Sequence, residues 1–188
     1  LAVAAAFFGP WLWASRRDWS TGVRAMGLGA IQFGLMYVLY IASYRYLQAW
    51  MVALFTVTTP FYVMALAATR DRQLPARSVA AVVLAVAGAL VTVATGLPEG
   101  ASWAGVLLLQ AANLCFAVGQ VAFSDVRRRS ASSDSGLVAW MYLGAVLVPA
   151  VALLVQGSGM GAAPSHRQWL VLVYLGLVPT GLGFFLWN

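Results

Sequence analysis

The chain has 188 residues, of which 62% are hydrophobic and 9% are charged, and its mean hydropathy is +0.85. Soluble domains carry about 25% charged residues, so this composition excludes the soluble classes and predicts an integral membrane protein. A net charge of +6 would elsewhere suggest nucleic acid, but all eleven basic residues are arginines in short gaps between apolar runs. We interpret them as topology signals and expect no nucleic-acid partner.

Uncharged apolar runs divide the chain into seven segments. The first, 1–15, is too short to cross a bilayer core, which takes about 20 helical residues. In hydrocarbon each backbone polar group must be bonded within its own segment, and the runs lack the alternation of barrel strands, so we predict helices. The expected fold class is an all-α integral membrane protein, a polytopic helix bundle. The six complete spans are predicted near 25–44, 49–68, 78–96, 103–124, 136–156 and 168–188.

The loops between these spans differ in charge from one side of the membrane to the other. When alternate loops are grouped, nine arginines fall on one side and two, Arg45 and Arg167, on the other. By the positive-inside rule the side with nine arginines is cytoplasmic. With six complete spans, we therefore predict a multi-pass protein with arginine-rich cytoplasmic loops. The nine are Arg16, Arg17, Arg24, Arg70, Arg72, Arg77, Arg127, Arg128 and Arg129.

Two of the predicted spans are similar to each other at an offset of 147 residues. The first leads out of the cytoplasm and the second leads into it, so the two similar helices run in opposite directions. Similar units in opposite orientation are typical of secondary transporters, whose binding site lies near the midplane between the repeats. The offset sets Leu28 against Leu175, Gly29 against Gly176, Gly34 against Gly181, Leu35 against Leu182, Leu39 against Leu186 and Tyr40 against Trp187.

Three features mark the middle of the chain. Pro60 interrupts an apolar run, Asp71 and Arg72 close that run, and Gly88 lies in the next one. With these features residues 44–95 resemble the second half of the five-helix repeat of the drug/metabolite transporter superfamily, in its EamA-like branch. That branch usually has Glu where this chain has Asp71, and a further glycine where this chain has alanine.

The resemblance extends over nearly the whole chain. Residues 105–129 resemble the first helix of the second repeat, and 178–188 resemble its third helix. Such transporters have ten helices in two inverted five-helix repeats. The resemblance therefore implies a fragment of a bacterial-type inner-membrane protein that lacks the first and last two helices. Residues 1–96 would be the first repeat from within its second helix, and 97–188 the first three helices of the second repeat.

One predicted span carries a polar stripe. At 100° per residue, Gln110, Asn113, Gln120 and Ser124 fall within a sector of about 80°. In a transporter such a stripe lines a substrate cavity, because a polar side chain that faces lipid is costly. The alternative is that the amides bond to neighbouring helices, an interaction of about 0.6 to 2 kcal/mol each. Both interpretations stay open at this point.

A second polar sector lies on the span at 25–44. It contains Gln32, Tyr40 and Ser43, and Tyr40 is set against Trp187 by the repeat. Aromatic rings with a polar tip suit the wall of a cavity for amphipathic metabolites. The predicted substrate cavity is therefore lined by Asn113, Gln110, Gln32, Tyr40, Trp187 and Gln120.

Prolines predict two kinks. Pro60 lacks an N–H and frees the carbonyl of Thr56, which neighbouring threonine hydroxyls are able to bond. The plain role of this cluster is to bend a helix, and the more specific role is to act as a hinge for alternating access. Pro179 before Thr180 is the second predicted kink.

The residues for intramembrane catalysis are not apparent in the sequence. All five acidic residues fall in loops or at the ends of predicted helices, and the single histidine, His166, lies in a loop. Hydrolysis within a membrane needs a nucleophile with a base, or clustered histidines and carboxylates. We therefore predict no enzyme, no metal and no cofactor, and the lack of a buried carboxylate favours uncoupled or exchange-type transport.

The function that these observations and the resemblance favour is membrane transport. The resemblance implies an exporter of small organic metabolites such as amino acids, and we expect it to work by alternating access around a central cavity. Its partners would be the substrate, the lipid bilayer and, as an open question, a second copy in a homodimer. The alternatives are a sugar-phosphate or nucleotide-sugar carrier of the same superfamily and a membrane assembly protein that transports nothing.

Overall fold

The computed structural model describes residues 1–14, 18–71, 76–93, 102–130, 132–156 and 164–187. In these ranges the secondary structure is entirely helical and contains no strand. The α-helices are α1 (Ala2–Ala14), α2 (Trp19–Gly29), α3 (Met36–Ser43), α4 (Ala49–Thr56), α5 (Thr59–Asp71), α6 (Ala76–Val93), α7 (Trp103–Arg129), α8 (Asp134–Gln156), α9 (His166–Leu175) and α10 (Phe184–Trp187), with π-helical segments π1 (Ala30–Leu35) and π2 (Gly176–Gly183).

Four described stretches are long and apolar enough to cross a membrane. They are Trp19–Ser43, Ala49–Arg70, Trp103–Arg129 and Asp134–Val155, and shorter apolar helices cover Ala2–Trp13 and Val79–Gly88. The predicted all-α polytopic membrane fold is thus confirmed. Helix α7 runs further than the predicted 103–124 because arginines continue it, and cations are favourable at a helix C-terminus.

Polar contacts lie at the starts of three helices. The Asp18 carboxylate accepts a hydrogen bond from the Thr21 N–H at 3.2 Å at the start of α2. Ser165 and Gln168 form a reciprocal capping box at the start of α9. At the start of α8, the Asp134 carboxylate accepts from the Arg127 Nε at 2.9 Å, which ties the end of α7 to the next helix.

One compact unit contains residues 1–34 and 122–188. Its helices α2 and α8 pack with their backbones in contact, and α1 packs against α8 and π2. A Cβ atom at Gly29 would overlap the carbonyl oxygen of Met141, and one at Gly144 would overlap that of Met26. Small residues allow this close approach, which is typical of helix pairs in membranes.

The 147-residue offset reappears in this unit. Shifted by the offset, π1 falls inside π2. Gly29 packs against the Met141 backbone of α8, whereas its counterpart Gly176 packs against Val3 of α1. These two aligned glycines therefore allow close packing against two different helices, α8 and α1.

The second compact unit contains residues 35–121. Its core joins α4 to α7 through Leu47, Met51, Val52, Val106 and Leu109. Both compact units include residues from either side of position 96, so spatial clustering does not follow the repeat boundary that the sequence suggests. The division into repeats at 1–96 and 97–188 stays a prediction.

Candidate functional site

The break between α4 and α5 is the centre of the candidate site. Pro60 has no N–H for the Thr56 carbonyl, and the Thr59 hydroxyl donates to that carbonyl instead, at 2.7 Å. The Thr56 hydroxyl in turn donates to the Val52 carbonyl at 2.7 Å. The threonine cluster therefore bonds the backbone where the helix is interrupted. Whether this break also acts as a hinge stays a prediction.

The carbonyl of Phe55 is the point where polar side chains converge. It accepts from Asn113 Nδ2 at 3.2 Å, Gln110 Nε2 at 3.4 Å and the Thr58 hydroxyl at 2.8 Å. The two amides come from α7 and reach across to the break in the neighbouring helix. A backbone carbonyl that has lost its regular helical geometry thus gains side-chain donors.

The Thr58 hydroxyl belongs to two alternative hydrogen bonds. It lies 2.7 Å from Gln110 Oε1 and 2.8 Å from the Phe55 carbonyl, and it also accepts from Asn113 Nδ2 at 3.2 Å. Since a hydroxyl carries one proton, it donates well to one of the two oxygens at a time. The network therefore has two alternative hydrogen-bonding patterns. In one the Thr58 hydroxyl donates to Gln110 Oε1, and in the other it donates to the Phe55 carbonyl.

The structure gives hydrogen-bond partners for two residues of the polar stripe on α7, Gln110 and Asn113. Asn113 is 4% exposed, and its amide and that of Gln110 bond to the neighbouring helix, which is the packing alternative raised by the sequence. Gln120 lies seven residues beyond Asn113 on the same helix and is half-buried. The cavity-lining role of these residues stays a prediction.

The remaining predicted cavity residues belong to different parts of the fold. Gln32 is fully buried in π1, in the unit of residues 1–34 and 122–188. Tyr40 is half-buried in α3, in the unit of residues 35–121, and its hydroxyl accepts from Tyr44 at 3.2 Å. Trp187 ends α10, and its side chain lies outside the described residues. Pro179, the second predicted kink, lies within π2.

Sequence reasoning missed a buried aromatic cluster. The ring of Tyr142 stacks with Phe8, at a centroid distance of 5.6 Å and an interplanar angle of 22°, and with Phe33, at 5.4 Å and 18°. Its hydroxyl donates to the carbonyl of Thr180. The signal that could have found it is a tyrosine in the middle of an apolar helix, because a buried phenol usually has a hydrogen-bond partner.

The described residues also contain an apolar groove, and they do not bring together the side chains that a metal site requires. A groove of about 310 Å³ between α2 and α8 is lined by apolar side chains, including Met26, Leu147 and Val151. Within the described ranges, no group of three or more His, Cys, Asp or Glu side chains is close enough to hold a metal ion.

Comparisons with known proteins define the family. The model of the EamA-like transporter family matches residues 1–94, which is half of the chain. The "Biotin transporter" of Salmonella typhimurium is 34% identical over 100% of this chain and 63% of that protein. The Escherichia coli K12 protein of the same name is 33% identical with the same coverage.

A third relative comes from another bacterium. The "Probable biotin transporter" of Pseudomonas aeruginosa is 37% identical over 87% of this chain and 57% of that protein. The chain thus spans less than two thirds of the length of these relatives, and no solved structure matches it. With the family match over half of its residues and a fold of apolar helices, the chain belongs to the EamA-like transporter family.

Proposed function

We propose that this chain is part of an inner-membrane carrier that moves biotin, or a closely related solute, by alternating access. The observation that carries the proposal is the similarity over 87% to 100% of the chain to relatives that are all named as biotin transporters or probable ones. Biotin thus takes the place of the amino acids that we expected as substrates. Cytoplasmic arginine-rich loops remain part of this proposal.

The polar network at the α4–α5 break suits the chemistry of this solute. Biotin joins a ureido group, with N–H donors and a carbonyl acceptor, to an apolar ring and a chain that ends in a carboxylate. Asn113 and Gln110 each offer an amide donor and an amide acceptor in apolar surroundings, and such amides pair well with a ureido group. A ureido group that replaces the Phe55 carbonyl as their partner leaves few buried polar groups unbonded, which keeps the cost of exchange low.

The aromatic wall of the proposed site comes from Tyr40. This side chain packs against the core formed by Leu47, Met51 and Leu109, and Phe55 packs against the same core. An apolar ring system fits a surface of this kind, in which few polar groups fix the orientation of the ligand. We therefore propose that Asn113 and Gln110 orient the ureido group while Tyr40 and Phe55 contact the apolar ring.

The test is transport of radiolabelled biotin by the full-length parent protein in proteoliposomes. Uptake and efflux are measured with and without a pH gradient, with an amino-acid pool as the competing substrate. We expect biotin flux that excess unlabelled biotin suppresses and amino acids do not. Flux in the absence of a gradient would fit an uncoupled carrier, and the ratio of efflux to uptake would test the export that the family resemblance implies.

Matched variants connect this flux to the network. Asn113→Leu keeps the side-chain size and removes both amide groups, so we expect the KM for biotin to rise by about tenfold. Leu114→Ala, at the next position of α7 and 42% exposed, is the control and should leave the KM unchanged. Equal KM values for the wild type and Asn113→Leu would reject the proposed site, and the absence of biotin flux in the wild type would reject the substrate.

A further inference from the structure

Two π-helical segments interrupt the α-helices at positions that the 147-residue offset makes equivalent. π1 covers Ala30–Leu35 and follows α2, whereas π2 covers Gly176–Gly183 and follows α9. A π-helical segment holds one more residue per turn than an α-helix and occurs frequently at functional sites. Its return to α-helix would rotate the side chains on one side of it by about 100° relative to the other.

One side chain of α8 contacts both segments. The ring of Tyr142 stacks on Phe33 of π1, with 5.4 Å between ring centroids, and its hydroxyl donates to the Thr180 carbonyl of π2. Tyr142 is fully buried, and Thr180 is 7% exposed. The tyrosine therefore holds one π segment through its ring face and the other through its polar tip.

A second aromatic ring also packs on Tyr142. Phe8 of α1 stacks on it at 5.6 Å and also meets Phe185 of α10 at 5.4 Å. Because buried side chains are close-packed, a fully buried ring such as that of Tyr142 has little room to tilt. We therefore expect movement of Phe33 to shift the phenol and to weaken its hydrogen bond to the Thr180 carbonyl.

We propose that Tyr142 is a positioning residue for transport, which couples the helical state of π1 to that of π2. A change from π- to α-helix in either segment removes a contact of Tyr142, so the two segments change together. Packed elements with two discrete arrangements are the usual basis of such coupling. This inference rests on the proposed carrier function, but its structural part is testable without substrate.

The structural test is amide hydrogen exchange on the full-length parent protein in lipid nanodiscs without substrate. Phe33→Leu changes π1 alone and leaves the Tyr142 hydroxyl in place. We expect exchange in 176–183 to become faster on the order of fivefold, as for the loss of one hydrogen bond. Tyr142→Phe, which removes only the hydroxyl, should accelerate exchange in both 30–35 and 176–183.

Two control variants make the same chemical changes elsewhere. Phe61→Leu on α5 and Tyr174→Phe on α9 alter side chains that are 47% and 60% exposed. Both controls should leave exchange in the π segments at the wild-type rate. Acceleration in 30–35 alone after Phe33→Leu, or in 176–183 alone after Tyr142→Phe, would overturn the coupling.

The transport test separates a positioning role from a purely structural one. In proteoliposomes Tyr142→Phe should lower the maximal rate of biotin flux by at least about threefold, while its KM changes by less than about twofold. A raised KM with an unchanged maximal rate would overturn the positioning role. If the wild type moves no biotin, the substrate proposal fails, and the exchange experiment still decides whether the segments are coupled.

Discussion

The amide of Asn113 donates to the carbonyl of Phe55 at 3.2 Å, although the two residues are 58 positions apart in the chain. The bond joins the middle of α7 to the end of α4, beside the break that precedes Pro60. The amides of Asn113 and Gln110, which we propose to bind substrate, therefore also join these two helices. Changes at Asn113 are expected to alter both stability and transport.

The first prediction concerns stability at Asn113. Asn113→Leu removes the donor of three hydrogen bonds, to Phe55, Thr58 and Gln110, and we expect it to destabilise the protein by about 0.6 to 2 kcal/mol. Reversible unfolding in mixed micelles measures this difference. Leu114→Ala provides the comparison for a change on the same helix. Wild-type stability in Asn113→Leu would show that these bonds contribute no net free energy.

The second prediction is a double-mutant cycle at the helix break. In the wild type, Thr59→Ala leaves the Thr56 carbonyl without the hydroxyl that bonds it, which costs about 1 to 2 kcal/mol. Pro60→Ala supplies a backbone N–H for the same carbonyl, so in that background Thr59→Ala should cost less than about 0.5 kcal/mol. Unfolding free energies of the four proteins give the coupling. Additive costs would contradict the role assigned to the Thr59 hydroxyl.

The third prediction concerns the contact between α2 and α8. Gly29→Ala places a methyl group against the Met141 carbonyl, and the required separation of the helices should destabilise the protein by about 1 to 3 kcal/mol. Gly27→Ala is the matched control, because a Cβ atom there meets nothing within 4 Å. It should be neutral or slightly stabilising through its better helix propensity. Thermal unfolding of both variants in one detergent makes the comparison, and equal shifts would refute the close contact.

The fourth prediction concerns pH at the start of α2. Hydrogen bonds from the Thr21 side chain and backbone lower the pKa of Asp18 below its usual range. A lowered pKa means that Asp18 stabilises the helix start at pH values above its unfolded pKa. This stabilisation is lost as the pH falls through the lower value in the folded protein.

Amide exchange at residues 19–22, followed from pH 6 to about pH 3, measures this loss. We expect the protection of these amides, corrected for intrinsic rates, to fall at the acidic end. Asp18→Asn keeps a capping oxygen but has no carboxyl to titrate, so its protection should not depend on pH in this range. An identical pH profile in both proteins would exclude Asp18 as the cause.

The positions of the helices followed from the sequence because the physics involved is local. A single run of about 20 uncharged residues can form all of its backbone hydrogen bonds in hydrocarbon only as a helix, and arginines mark the ends of such runs. The bonding of the Thr56 carbonyl was foreseeable for the same reason. Proline removes one N–H at a known position, and the threonines that replace it are its neighbours in the chain.

The partners of buried polar groups could not be deduced in this way. Helical periodicity placed Gln110 and Asn113 on one face of α7, but it contains no information about the helix that this face meets. The cluster around Tyr142 depends on residues from α1, π1 and π2, which are far apart in the chain. The π segments were also missed, because one extra residue in a turn leaves the apolar pattern of a span almost unchanged.

The contact at Gly29 and Gly144 affects how freely two helices of one unit move along each other. Where leucine or phenylalanine side chains interlock, an axial shift requires each of them to leave its rotamer. At Gly29 and Gly144 the nearest atoms are backbone atoms of the other helix, so few side-chain rotamers are frozen at this contact when the helices assemble. We therefore expect the resistance to an axial shift between α2 and α8 to depend mainly on the side chains that flank these two glycines.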